Sequence, residues 1–412
     1  MPPSGARAKL AVAAAALSLA GQALAAGDNG FKVGDGRLHL YFDLQGEYNS
    51  NVLYTTSRVP DLILHFRPGL MLNVPGRDVA LDLSGNVAWN QYLGVSSSAT
   101  KDLSFLSAAA DLTLGFNRGG TVGLELSDSF QRSNQITSLS LASAAITNNN
   151  VLRLAIPIRP GGGALELKIG GQWQVQSFEP FLDAGATCDP VANPSCNPAN
   201  LNLYGYNQLT GAAEVRWFFL PRTAVLVQGS YFARIPNDET VSLPISGYKV
   251  WAGAAGLVTP HIAGTLKGGY GNSLGSAGVP FGTWLANAEA EYLITGGIGV
   301  KLGYLHDYQA DVGTVYSLYA FHRIYLEGKV PLVSHFTVRG GGQLEWDQYV
   351  LIDQPTQVAN ANLWFDWEVI RYVILSAGYQ FTWRTSTVPA GPVPPVYSYN
   401  VNQVFLQARF IY

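Results

Sequence analysis

The sequence is short of charge, and past its N-terminus it lacks any long apolar run. Charged residues make up 13% of the 412, against about a quarter in ordinary soluble domains, so little of the surface is built to face water. No stretch beyond the first 25 residues offers the roughly eighteen consecutive apolar residues of a membrane-crossing helix, which disfavours a helical membrane protein. Basic excess is missing too. With 25 Lys and Arg against 28 Asp and Glu, the net charge is -3 and the pI about 6.1, leaving no electrostatic footprint for nucleic acid, and that class is excluded. Cysteine is nearly absent: Cys188 and Cys196 sit in GATCDPVANPSCNPAN, without the histidine or further cysteine a zinc site would need. A disulfide closing a small loop in an oxidising compartment is the expected state of this pair. The six histidines, His39, His65, His261, His306, His322 and His335, are scattered without a partner at catalytic spacing. His306 and Asp307 are neighbours, but strand neighbours point to opposite faces. No metal or cofactor site is legible, and the expectation is a protein that is not an enzyme.

Apolar content is nevertheless 48%, aromatics reach 12% and there are 45 glycines. The composition is uniform from about residue 30 onward, which points to one large unit. The first 25 residues read as a signal peptide: Arg7 and Lys9 form the positive region, Leu10 to Ala20 the short apolar core, and Ala23-Leu24-Ala25 the small-x-small cleavage site. Residues 26–412 then form the mature unit. About ten residues separate the cleavage site from the first strand, too few for a plug or a periplasmic repeat array.

Strict alternation of apolar and polar residues recurs along the mature part, the pattern of strands with one face in each of two environments. Leu38, Leu40, Phe42 and Leu44 alternate with His39, Tyr41, Asp43 and Gln45. In the last segment Asn402, Val404, Leu406, Ala408, Phe410 and Tyr412 share one face, while Gln403, Phe405, Gln407 and Arg409 lie on the other. Turn chemistry at residues 75–78, 118–120, 161–163, 221–223 and 296–297 alternates with long connections at 94–102, 137–150, 178–202, 273–282 and 385–396. The fold class this predicts is all-β: a transmembrane antiparallel up-and-down barrel of about eighteen strands, with sixteen the nearest even alternative. A barrel of that size leaves an aqueous interior.

Face assignment puts both signs of charge inside in near balance, so neither an anion-selective nor a cation-selective ladder dominates. The candidate path residues are Tyr41, Asp43, Glu125, Gln172, Gln174, Glu214, Arg216, Glu289, Glu291, Arg323, Tyr325, Arg339, Glu345, Asp366 and Arg409. Flat aromatic faces beside amides and carboxylates suit sugars, which carry apolar ring faces and hydroxyl edges. Trp89, Trp173, Trp217, Trp251, Trp284, Trp346 and Trp383 are expected at the interfacial girdles or against lipid.

The signal peptide, the alternating segments and the Leu406, Phe410 and Tyr412 terminus resemble Gram-negative outer-membrane β-barrels, either a solute-diffusing porin or an exopolysaccharide-export barrel of the alginate type. That resemblance implies an outer-membrane location, lipid as surroundings, and an aromatic terminus read by the barrel-insertion machinery. It implies saccharide as cargo, with an exopolysaccharide exported through a separate periplasmic partner as the first reading. The alternatives are a general or sugar-selective diffusion porin and a structural or adhesive barrel acting through external loops. The mixed lumen departs from the strongly basic alginate type, and the folded-in third loop of typical porins is not visible.

Overall fold

The computed structural model describes residues 30–54, 58–76, 78–134, 145–180, 201–240, 242–274, 280–294, 297–311, 318–350, 355–386 and 398–412. The segment expected to be a signal peptide, and both cysteines, lie outside the described residues.

A short strand β1 (Phe31–Val33) folds as a hairpin onto β2 (Gly36–Asn49). There follow β3 (Asp61–Val74), β4 (Val79–Tyr92), β5 (Phe105–Phe116), β6 (Leu124–Ser133), β7 (Ala145–Ile158), β8 (Leu165–Pro180), β9 (Tyr206–Leu220) and β10 (Thr223–Pro236). The second half comprises β11 (Ile245–Thr259), β12 (Ile262–Ser273), β13 (Phe281–Ile294), β14 (Ile298–Ala310), β15 (Leu318–Val333), β16 (Phe336–Tyr349), β17 (Thr356–Ile370), β18 (Val373–Ser386) and β19 (Tyr399–Ile411). Each of β2 to β19 pairs antiparallel with its neighbour in sequence, and β19 returns to pair with β2, closing an 18-strand barrel. Closure removes both sheet edges, so every ladder has a partner in a lipid surround where water could not stand in.

Alternation places the two faces. On β2, Leu40, Phe42, Leu44 and Tyr48 are exposed while Tyr41, Asp43, Gln45, Glu47 and Asn49 are buried. On β19, Val404, Leu406 and Phe410 point out, whereas Gln403 and Phe405 point in. Exposed aromatics gather at two levels. Trp217, Phe219, Tyr292, Phe336, Trp367 and Phe410 ring the end with the short turns, and Trp89, Trp173, Tyr231, Tyr270, Trp284 and Trp346 ring the other. Two such belts bracketing an apolar band are what the headgroup regions of a bilayer select.

Connections alternate short and long as expected, with both β1 and the end of β19 at the short-turn end. Several strands run further than their sequence suggested. The segment 137–150 was expected to be a loop, yet β7 begins at Ala145 and takes in Asn148, Asn149 and Asn150. Asparagine is a poor strand former in isolation, but here the amides bond across the sheet: Asn149 Oδ1 accepts from Gln174 Nε2 at 2.9 Å and Asn150 Nδ2 donates to Asp128 at 3.1 Å. Likewise β8 reaches Pro180, β18 reaches Ser386, and a 3-10 helix at Ser98–Leu103 occupies the connection before β5.

Candidate lumen site

The inner wall is lined by charges that neutralise one another in pairs. Asp43 is fully buried; Arg409 Nε and Nη2 reach its two oxygens at 2.7 Å each, and Arg67 adds a third contact at 3.7 Å. Arg339 Nε meets Asp366 at 2.7 Å, and Ser376 donates to the same carboxylate. Lys301 and Tyr325 both bind Glu289, at 2.9 and 2.5 Å. Arg323 pairs with Glu345, Lys249 with Asp307 at 2.7 Å, Lys168 with Glu125 at 2.8 Å and Arg216 with Glu214 at 2.5 Å. Arg409 with Asp43 and Arg323 with Glu345 follow from register, because residues opposite each other on one face of antiparallel strands lie close enough to bond. Lys168 and Lys249 reach their carboxylates over intervening strands, and Arg216 and Glu214 are two residues apart on β9.

These contacts group the residues read from the sequence. Tyr41, Asp43, Arg409, Arg339 and Asp366 form one patch around the β2/β19 seam. Glu289, Arg323, Tyr325 and Glu345 form a second on β13 to β16, where Glu291 stands opposite Lys301 in register. Glu125, Gln172 and Gln174 form a third on β6 to β9, and Glu214 and Arg216 stand beside it on β9. Participants missed at the sequence level include Arg67, Arg153, Lys249 and Trp364. Alternation through LILHFR would have turned Arg67 inward with Ile63 and His65; the following Pro68-Gly69 obscured the strand.

Inward aromatics use glycine as a seat. Tyr41 stands opposite Gly69 in register, Tyr325 opposite Gly303 and Trp364 opposite Gly378. A Cβ on these glycines would lie 2.2, 2.1 and 2.4 Å from the corresponding ring. The rings therefore lie along the wall over the next strand; Tyr325 and Trp364 stay part-exposed, whereas Tyr41 is buried with the Arg409 guanidinium 5.2 Å from its ring centre. Trp364 is further stacked on Phe405 at 5.1 Å between centroids. On β6 to β9 the lining is amide instead: Gln174 joins Asn149, Tyr206 donates to Gln176 at 2.6 Å, Arg153 holds Gln172 at 2.9 Å, and Arg234 holds Gln208 at 3.0 Å.

Trp251 corrects the expectation that it belongs to a girdle. It is 5% exposed and packs inward with Phe232, Ile245, Leu285, Tyr308 and Leu318. Alternation on β11 puts it there, on the face of Lys249 and opposite that of the exposed Val250. Its cover comes from β14, whose pairing with β13 ends at the Ala286/His306 register while its pairing with β15 runs on to Ala310, and this end of the hairpin turns in. Tyr308 then lies on the inner wall, its hydroxyl donating to the carbonyls of Tyr248 and Asn272 at 3.0 Å, over the space left by Gly247 and Gly271. Asp311 follows: its carbonyl accepts from Arg234 on β10 at 3.1 Å and its carboxylate from Tyr349 on β16 at 3.5 Å. The Tyr308 to Asp311 segment thus bridges strands far apart around the ring and narrows the wider-loop mouth. His306 faces outward under Trp284, their rings 3.9 Å apart, on the face opposite Asp307.

No family model matches the chain, and no curated protein matches it. Among solved structures, OccK2 (OpdF) of Pseudomonas aeruginosa is 11% identical, with 93% of this chain and 99% of that one covered and a TM-score of 0.47. The outer membrane protein opdK of the same organism is 10% identical over 91% and 98%, with a TM-score of 0.47. OccAB3 of Acinetobacter baumannii is 10% identical over 92% and 100%, with a TM-score of 0.45. The physical assignment rests on the barrel itself. A closed antiparallel sheet, apolar outside between two aromatic belts and charged within, has only one stable setting, a lipid bilayer, and the chain folds as an 18-strand transmembrane β-barrel.

Proposed function

We propose that the barrel is an outer-membrane channel for saccharide. The observation that carries this reading is the lining: Tyr325 and Trp364 spread along the wall over glycines, beside amides and mutually neutralised charges. Sugar rings stack their C–H faces on aromatic planes and place hydroxyls against amides and carboxylates, while a wall without a dominant charge sign neither concentrates nor repels ions strongly. Liposomes carrying the protein should swell in neutral oligosaccharide faster than in a charged solute of the same size. Equal rates, or no swelling, would sink the reading.

Direction and cargo size divide two versions. In the first, the channel secretes an exopolysaccharide with a separate periplasmic protein as partner; deleting the gene should then abolish surface polysaccharide. In the second, it is a diffusion porin for small solutes. The inward Tyr308 to Asp311 segment favours the second, since it reduces the aperture on the side a polymer would leave by. Normal surface polysaccharide in the deletion strain, together with impaired growth on small sugars, is the outcome that version expects.

A further inference from the structure

Between the two aromatic belts the outward face is apolar or glycine almost throughout, and among the described residues it holds a single carboxylate, Asp128 on β6. Its orientation follows from its neighbours. Ser129, next in the strand, faces the lumen and donates to Asp111 at 2.8 Å, while Leu152, opposite Asp128 in register, continues the outward row through exposed Leu154 and Ile156. Asn150 on β7 donates to Asp128 Oδ1 at 3.1 Å. Toward the long-loop rim the same face carries Arg132, bound to Glu179 at 2.6 and 2.8 Å, with Asn148 joined to both. A polar seam therefore descends from the rim into the apolar band on β6 and β7. Lipid chains offer nothing to the remaining lone pairs of Asp128 or to the free amide groups of Asn150, and unsatisfied polar groups in hydrocarbon are strongly disfavoured.

We infer that this seam is the contact surface with a second copy of the chain, related by a two-fold axis along the membrane normal. The patch is complementary to itself. It presents an acceptor, Asp128, beside a donor, Asn150, so a two-fold passing next to them sets each carboxylate against the other copy's amide. Its rim charges are already paired within one chain and ask for no counter-ion. The adjoining outward positions are small: Gly85 stands opposite Ala110, and Ala110 opposite Phe130, with Ala108 alongside. The outward surface beside the seam is therefore shallow, and a second barrel can lie close against it. Small residues at the contact allow the close backbone approach on which association within a bilayer depends.

The test weighs the full-length mature chain in nanodiscs by mass photometry, with heat-modifiable migration on a gel confirming that each barrel is folded. Wild type should register as a dimer. Asp128→Leu combined with Asn150→Leu, which makes the wall fit for lipid, and separately Ala110→Trp, which builds up the shallow surface, should each give folded monomers. Ala288→Trp, on the outward face of β13, should leave the dimer intact. A monomeric wild type would mean that lipid or another segment of the same chain covers the seam, and would overturn the inference. So would dimers that survive both seam variants.

Discussion

Arg409 and Asp43, 366 residues apart in sequence, meet through two hydrogen bonds of 2.7 Å each and lock the last strand to the first. The seam is the one place where the barrel must join elements made at opposite ends of the chain, and it is held there by a fully buried carboxylate.

Removing one partner of that pair should cost more than removing both. Arg409→Met leaves Asp43 with only the longer Arg67 contact, and breaking a buried pair one-sidedly costs about 3 kcal/mol. Adding Asp43→Leu should restore most of the loss. Urea unfolding in detergent, followed by tryptophan fluorescence, reads both variants; equal destabilisation by single and double would refute a pair-based seam.

Freeing the inward segment should widen the mouth. Arg234→Ala removes the donor to the Asp311 carbonyl, and Tyr349→Phe removes the hydroxyl that binds its carboxylate. Single-channel conductance in planar bilayers is expected to rise for each variant, and further for the double variant. Unchanged conductance would mean the segment does not limit passage.

Glycine seats give a sharper test of the aromatic lining. Gly303→Ala places a methyl group 2.1 Å from the Tyr325 ring, which must then swing away from the wall and from Glu289. Neutral-sugar permeability should fall while the fold persists, and Tyr325→Ala in the same background should give no further loss. A Gly303→Ala protein with normal permeability would separate the ring from the path.

The terminal strand predicts a split between assembly and transport. Phe410 and Tyr412 point outward, 48% and 53% exposed, whereas Gln407 lies on the lumen face. Replacing Phe410 and Tyr412 with Ser should reduce the folded barrel recovered from outer membranes, and Gln407→Ala should leave that yield unchanged. Equal yields would undo the face assignment of β19.

The alternation in sequence carried most of the fold because each residue's environment is set by parity alone: Asp43 and Leu44 differ only in which side of the sheet they face. Parity failed where strand geometry is broken by three-dimensional contacts. Trp251 stands on the inward parity of β11, but its partner Tyr308 belongs to a stretch of β14 that leaves its ladder with β13 while keeping the one with β15, and nothing local to Tyr308 announces that departure. Asn148 to Asn150 read as loop because isolated asparagine avoids strands, while their actual partners, Gln174, Glu179 and Asp128, lie one strand away. Arg67 was legible but hidden behind a Pro-Gly pair. Pairings such as Arg339 with Asp366 depend on register, which alternation leaves free to slide by any even number.

The mutual neutralisation of Lys301 with Glu289, Arg339 with Asp366 and Lys168 with Glu125 also sets the electrical character of the pore. Fixed charge that is already compensated within the wall has no exchange capacity, so the lumen holds little mobile counter-ion and supports little Donnan potential. A salt gradient across such a pore drives salt through it almost as it would through a thin layer of free solution, and the membrane voltage does correspondingly little to speed or slow an uncharged cargo.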